Sequence, residues 1–370
     1  MKILHILEAT GGGTRRHILD LLPALVRRGI SCDLVASPRR DPYFARDKNY
    51  LEARGVCVYP LRMARGFAPR DDAQALRALH AHLNSHHYDL VHCHSTKAGL
   101  LGRAVRLAHP STRIVYTPHC IAFDTGLSRK QRRAARWMEA LLTPLTSHVV
   151  AVSQREQKTL RRIGHKNVSL VHNGVDLEAF DSLPRAHRND FGLRDADFVI
   201  GCFGRLTRQK NQAVLIRALL RVLETVPHAK LFFVGDGEDG LCLRQLATRL
   251  NIADKIVWPG DVEDARPLYE LCDVVVQPSR WEGCPYTVLE AMSARKVVIA
   301  RDVGAVGEIL NEKCGVAYHV STRNEAQFLS QQIIEFAQNQ RAENARQRVE
   351  ESFTLEQMVE KTIKVYVGIL

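Results

Sequence analysis

What the 370-residue sequence lacks narrows the field before what it contains does. No run approaches the ~20 consecutive apolar residues of a membrane span, so no helical span is expected. No tract is biased or of low complexity, and 45% hydrophobic with 25% charged residues is the composition of a folded chain rather than a disordered one. Self-similarity at solenoid periods is also missing. The nine cysteines include no CxxC pair, and several (Cys32, Cys57, Cys93, Cys202, Cys272) sit in or beside strand-like runs, as small apolar residues of a protein kept in a reducing compartment. The start, MKILHILEATGGG, reads as a first strand rather than a signal peptide, because its apolar run stops at Glu8. A cytoplasmic location follows as an expectation.

Charge is present in excess and unevenly placed. The formal net charge is +12, and residues 1–185 carry 29 Lys and Arg against 15 Asp and Glu, whereas residues 186–370 carry 23 against 25. A basic half suits nucleic acid, an anionic membrane or a phosphorylated substrate. Nucleic acid is the weakest of the three, since zinc-finger spacing, RNP-like aromatics and a basic region followed by heptads are all missing. The densest cluster is SRKQRRAARWMEALLTPL, where Arg129, Lys130, Arg132, Arg133 and Arg136 precede or flank Trp137. Such a helix either lies on anionic lipid with its tryptophan at the interface, peripheral to the inner face of the plasma membrane, or turns an apolar side to the core.

Short β-branched runs alternate with longer helix-period segments from end to end. MKILHIL, CDLVAS, DLVHCHS, RIVYTPH, SHVVAVS and VSLVHNG read as strands in the first half; DFVIGCFG, AKLFFVG, KIVWPG, DVVVQPS and KVVIARD do so in the second. This predicts an α/β protein of two doubly wound, Rossmann-like domains whose strand carboxyl ends face a central cleft. The series restarts near residue 198 after a polar, strand-free stretch, so the connection is expected there and the domains over 1–185 and 186–351.

The polar and glycine-rich signals fall just after strands. GGGTRRH (11–17) follows the first strand and opens a helix, where glycines let backbone N–H groups approach a phosphate or sugar; a tight turn explains them equally well. GRLTRQKN (204–211) offers Arg205 and Lys210, a fork-shaped guanidinium and a point-like ammonium that suit a diphosphate, against the ordinary alternative of a solvated surface pair. WEGCPYTVLEAM (281–292) sets Glu282 in a loop and Glu290 two turns into a helix, about 10 Å further along its axis. One acid could reach a sugar while the other reaches a ribose, with the backbone of the segment Gly283, Cys284, Pro285, Tyr286 and Thr287 pointing N–H groups at what lies between. A first-turn acid followed by a solvated mid-helix acid is the competing reading. His92 and His94 flank Cys93 at a strand end, a spacing that could ligate metal, but no further ligands are evident and no metal site is expected.

GGGTRRHILDLLPALVRRG, TPHC, VSLVHNGVDLEAF, GRLTRQKN, FVGDGED, and WEGCPYTVLEAM followed by DVGAVGEI, in this order, resemble the retaining nucleotide-sugar glycosyltransferases of glycosyltransferase family 4. The resemblance implies the B-type fold, an acceptor-side N-terminal domain, a donor-side C-terminal domain and a last helix, 352–370, that crosses back to the N-terminal domain. It implies that Arg205 and Lys210 hold the donor diphosphate, that Glu282 hydrogen-bonds the transferred sugar, and that Glu290 takes the ribose hydroxyls. By the same resemblance His119 is expected to approach the sugar, Gly12 and Gly13 to lie near the donor phosphates or acceptor, and backbone at Gly260 to Val262 to hold the base. Arg16 and His17 fall on the acceptor side. The implied reaction moves a sugar from a nucleotide diphosphate, UDP in the first instance, to a polyprenyl-diphosphate-linked or other glycan acceptor, without metal or cofactor. Glu282 as nucleophile stays open beside front-face attack. Cys284, Tyr286, Arg295, Lys296, Ala305 and Gly307 depart from the common pattern and bear on sugar identity. A UDP-sugar 2-epimerase-like isomerase and a non-catalytic nucleotide-sugar or polyanion binder are the alternatives.

Overall fold

The computed structural model describes every residue except 40, 41, 65, 67, 320, 322 and 340–343. The chain builds two compact units, Met1–Asn173 with Leu355–Leu370, and Gly174–Thr354. The division therefore falls after Asn173, earlier than the expected 185. The reason is local: Val175 bridges to Thr354, and its N–H donates to the Phe353 carbonyl at 2.9 Å, which ties the start of the connection to the second unit.

In the first unit, β1 (Lys2–Leu7), β2 (Ser31–Ala36), β3 (Cys57–Pro60), β4 (Leu90–His94), β5 (Ile114–Thr117), β6 (His148–Ala151) and β7 (Val168–Leu170) form one parallel sheet in the order β3-β2-β1-β4-β5-β6-β7. Alternate residues of each strand feed different cores. Ile3 and Leu7 meet Ile18, Leu21 and Leu22 of the helix Gly13–Arg27, together with Met358, Val359 and Tyr366 of the last helix, Leu355–Val367. Leu4 and Ile6 instead join Ala98, Leu101 and Val105 of the helix Ser95–Val105. A sheet covered on both faces has to be apolar throughout, which is why its strands read as continuous runs.

The second unit repeats the plan. Strands β8 (Phe198–Phe203), β9 (Ala229–Val234), β10 (Ile256–Gly260), β11 (Val274–Gln277), β12 (Val297–Arg301) and β13 (Gly315–Tyr318) pair in parallel in the order β10-β9-β8-β11-β12-β13. In both sheets the order reverses, between β1 and β4 and between β8 and β11. Chains leaving neighbouring strands in opposite directions open a crevice at the carboxyl ends, and the signals of the sequence lie there.

Candidate active site

In the second unit two loops meet beyond the ends of β8 and β11. Gly204 turns the first with φ of +116°, and a Cβ there would lie 3.0 Å from Cε of Lys210, so the lysine lies across the turn. Its Nζ donates to Oε1 of Glu282 at 2.7 Å, with only 13% and 10% of the two side chains exposed. Gln277, the last residue of β11, donates through Nε2 to Ser279 Oγ at 2.9 Å and to Glu282 at 3.4 Å. Gln209 fastens the loops by donating to the Trp281 carbonyl at 2.9 Å and accepting from Arg280 N–H at 2.7 Å. Asn211 adopts a left-handed φ of 58°, which asparagine tolerates, and accepts from the Arg280 guanidinium at 2.9 Å. Its own amide donates to Glu325 Oε2 at 3.3 Å; that carboxylate is buried and also accepts from the Tyr318 hydroxyl at 2.9 Å.

The helix Tyr286–Ser293 begins directly after this loop, with Pro285 as its cap residue. Gly304 packs so tightly that a Cβ would sit 2.1 Å from the Gly283 carbonyl, which accepts from Ala305 N–H at 2.7 Å. Glu290 is not a solvated mid-helix acid: it is buried, and its Oε2 accepts from the Tyr269 hydroxyl at 3.0 Å. Burial first, and then the Glu290 carboxylate, push the Tyr269 phenol well above its ordinary range, so it stays a donor. Cys284 and Tyr286 are buried, Arg205 is exposed, and Val262 is half-buried. Gly260 ends β10 at φ of 84° and its carbonyl accepts from Gly235 N–H at 2.8 Å. Three buried polar atoms in these segments, Thr207 Oγ1, Gln277 Oε1 and Thr287 Oγ1, have no hydrogen-bond partner. Buried groups of this kind are left for a bound water or a ligand to satisfy.

In the first unit, Gly12 takes φ of 66° as the cap of the helix that opens at Gly13. Arg16 pairs with Asp20 at 2.8 Å, and His17 is buried, its Nδ1 lying 3.2 Å from Asn173 Oδ1. Around His17 four more histidines collect. His5 Nδ1 is 3.0 Å from His94 Nε2, and His94 Nδ1 is 3.1 Å from His119 Nε2. His92 is satisfied by the Tyr366 hydroxyl at 2.6 Å and Thr117 at 2.8 Å. Burial lowers all five, to about 3 for His5 and about 4 for His17, with neighbouring imidazoles adding to the effect on all but His17, so the rings are neutral. Two triads, His5, His92, His94 and His17, His94, His119, bring ring nitrogens within 4.8 Å of one another. Both nitrogens of His92 and of His94 are already hydrogen-bonded, so a metal in either triad would have to displace those bonds.

The basic helix, Arg129–Leu142, starts on a capping box made by Ser128 and Gln131. Arg129, Lys130, Arg132, Arg133, Arg136 and Trp137 are all exposed, Trp137 at 68%, and Leu141 at 74%. Its one buried residue is an acid, Glu139, clamped by Arg103 at 2.5 Å and His165 at 2.9 Å. An apolar side turned to the core is met only in part: Ala135 packs against the core that holds Leu101 and Tyr116, and Met138, Ala140 and Leu142 are half-buried, while Trp137 and Leu141 stay outside it. Among the described residues no helix is long and apolar enough to cross a membrane.

Two doubly wound parallel sheets with functional groups at their switch points define a B-type, two-Rossmann-domain protein. The sequence profile of Glycosyltransferase Family 4 matches residues 11–179, and that of Glycosyl transferases group 1 matches residues 185–353. The chain belongs to glycosyltransferase family 4. It is 30% identical over 257 residues to the UDP-Gal:alpha-D-GlcNAc-diphosphoundecaprenol alpha-1,3-galactosyltransferase of Escherichia coli, covering 66% of each chain. It is 27% identical to the lipopolysaccharide core biosynthesis mannosyltransferase LpsB of Rhizobium meliloti, over 60% of this chain and 65% of that one. The chain thus spans just under two thirds of the length of these relatives. In fold it is similar to Anabaena HepE in complex with UDP-glucose, with a TM-score of 0.79 at 21% identity and full coverage of both chains.

Sequence reasoning passed over Gln209, Asn211, Gln277, Arg280 and Glu325, which shape the loops around Lys210 and Glu282. The available signal was position: Gln277 ends the strand VVVQ, and Arg280 stands two residues before Glu282.

Proposed function

We propose that the protein is a retaining, metal-independent glycosyltransferase that moves a sugar from a UDP-sugar to a membrane-borne, polyprenyl-diphosphate-linked acceptor in polysaccharide synthesis. The observation that carries the reading is the Lys210–Glu282 pair at 2.7 Å, set at the strand ends among buried hydroxyls and an amide oxygen without partners. An ammonium has three donors, so Lys210 can keep Glu282 and still meet a phosphate oxygen. The donor and acceptor classes are supported by the name of the galactosyltransferase relative, which states both.

In this reading the second unit is the donor side. Arg205 and Lys210 hold the diphosphate and stabilise the charge that develops on the leaving nucleotide. Glu282 and backbone at Gly283 to Thr287 address the sugar hydroxyls. Glu290, oriented by Tyr269, takes the ribose, and backbone at Gly260 to Val262 takes the base. From the first, acceptor-side unit, His119 addresses the sugar, and Gly12, Gly13, Arg16 and His17 border the phosphates or acceptor. The anomeric C–O bond breaks with its electron pair passing to the β-phosphate oxygen. The acceptor hydroxyl bonds to the same face and gives its proton to that departing phosphate. A carboxylate neutralised by an ammonium is a weak nucleophile, which favours this front-face course over a glycosyl–Glu282 intermediate. The exposed basic helix suits a cytoplasmic protein held peripherally at an anionic inner leaflet.

The test is a thermal-shift panel of UDP, GDP, ADP and CMP, followed by transfer assays with the matching sugars. A ligand at about 100 times its Kd adds ~2.7 kcal/mol, visible as a shift of a few degrees. A UDP shift that Arg205→Ala removes supports the reading; a shift with another nucleotide overturns the donor, and nucleotide release with an altered free sugar overturns transfer in favour of isomerisation.

A further inference from the structure

The three rings His5, His94 and His119 form a chain in which the middle one is bonded at both nitrogens, at 3.0 Å to His5 and 3.1 Å to His119. A neutral imidazole has one N–H and one lone pair, so such a chain admits only two proton arrangements. In one, every ring carries its proton on Nδ1: His5 donates to His94 Nε2, His94 donates to His119 Nε2, and His119 retains an Nδ1–H. In the other, every proton sits on Nε2 and the donors run in reverse. The two arrangements differ at the closed end, because His5 Nε2 is buried and has no hydrogen-bond partner. The Nε2 arrangement buries an orphaned N–H there, while the Nδ1 arrangement leaves only an unused lone pair. Orphaned buried N–H groups are the rarer defect.

We propose that His5 and His94 are positioning residues that fix His119 as the Nδ1–H tautomer, so that the neutral ring acts toward the nucleotide-sugar as a hydrogen-bond donor. The ligand atom it suits is a hydroxyl or phosphate oxygen. The backbone agrees with a ring held for a purpose, since His119 sits at φ of 62°, a conformation that costs energy in a residue with a side chain. The inference rests on the assignment of His119 to the sugar, but its first readout does not depend on activity.

The full-length protein labelled with 15N-histidine, read by long-range 1H–15N correlation near neutral pH, reports which nitrogen carries each proton. His119→Asn and His94→Asn spectra assign the signals. The expected result is a protonated Nδ1 and a bare Nε2 on His5, His94 and His119, opposite to the Nε2–H preference of a free histidine side chain. His5→Asn, whose amide can still donate, should keep His119 in this form and retain transfer. His5→Leu should release it toward the Nε2–H form and lower kcat/KM about three- to tenfold, the worth of one neutral hydrogen bond. A wild-type His119 protonated at Nε2 or at both nitrogens overturns the inference, and so does a wild-type spectrum with no neutral ring protonated at Nδ1, which is read without any variant. An unchanged His119 tautomer in folded His5→Leu overturns the role of His5. Nδ1 protonation without turnover of any nucleotide-sugar leaves the tautomer assignment standing and sinks the transferase reading instead.

Discussion

Lys210 and Glu282, 72 positions apart in the chain, meet at 2.7 Å in the second unit. If the ammonium serves charge that develops on the leaving diphosphate, Lys210→Met should lower kcat by roughly 10²- to 10³-fold, as loss of one preorganised donor does. Glu282→Gln, which keeps hydrogen bonds to a sugar, should leave nucleotide binding intact. The double variant should cost less than the sum, because either single change leaves the other group without its partner. A Lys210→Met enzyme with raised KM and unchanged kcat would show that the lysine merely binds donor.

Gly304 carries the Glu282 loop in a different way. Its φ is +60°, and a Cβ would sit 2.1 Å from the Gly283 carbonyl and 2.4 Å from that of Glu282. Gly304→Ala should therefore push Glu282 out of place and lower stability by about 1 to 3 kcal/mol. Thermal unfolding and transfer rate should fall together. A variant with native Tm and native rate would mean that the loop can move without consequence.

The buried end of the basic helix depends on ionic pairing. Arg103, 1% exposed, has Glu139 as its bidentate partner. Burial would raise the Glu139 carboxyl, but hydrogen bonds from His165 and Arg103 overcome it and hold the group down at about 2. Glu139→Ala strands the guanidinium and should cost about 3 to 5 kcal/mol in chemical denaturation. A loss under 1 kcal/mol would indicate that water reaches Arg103.

Much of the fold was legible because doubly covered strands such as FVIGCF and VVIAR are unbroken apolar runs. The edge strands β3 and β13 were not, since Cys57–Pro60 ends on a proline and leaves residues exposed, and Gly315–Tyr318 is half-exposed. Edge positions relax the demand for apolar residues, and with it the signal. At the site, Arg205, Lys210, Glu282 and Glu290 could be singled out because each follows a strand end. Their partners could not: the burial of Glu325 and the turn at Asn211 arise only when separate loops pack. Likewise alternation placed His92 and His94 on one face, but nothing in spacing joins His94 to His5 and His119.

The exposed face of the basic helix makes a membrane test direct. Vesicles with anionic phosphatidylglycerol should retain the protein at low salt and release it as salt rises, at about 1 kcal/mol per basic residue near the surface. Arg132→Glu with Arg133→Glu should abolish retention, and Trp137→Ala should weaken it, while soluble-nucleotide binding stays unchanged. Equal retention on neutral vesicles at high salt would remove the electrostatic part of the argument.

The buried histidines set the acid limit of the first unit. Folded His5 and His17 stay neutral down to about 3 and about 4, whereas their unfolded forms take a proton near 6.5. Below pH 6.5 the unfolded chain therefore binds more protons than the folded one, and stability falls by about 1.4 kcal/mol per pH unit for each such ring. His92, His94 and His119, lowered in the same direction, steepen the slope. Urea unfolding between pH 7.5 and 4.5 should show this loss, and His5→Asn should flatten it by the equivalent of one proton. A flat profile would mean that the rings are protonated within the fold, and the neutral chain from His5 to His119 would go with it.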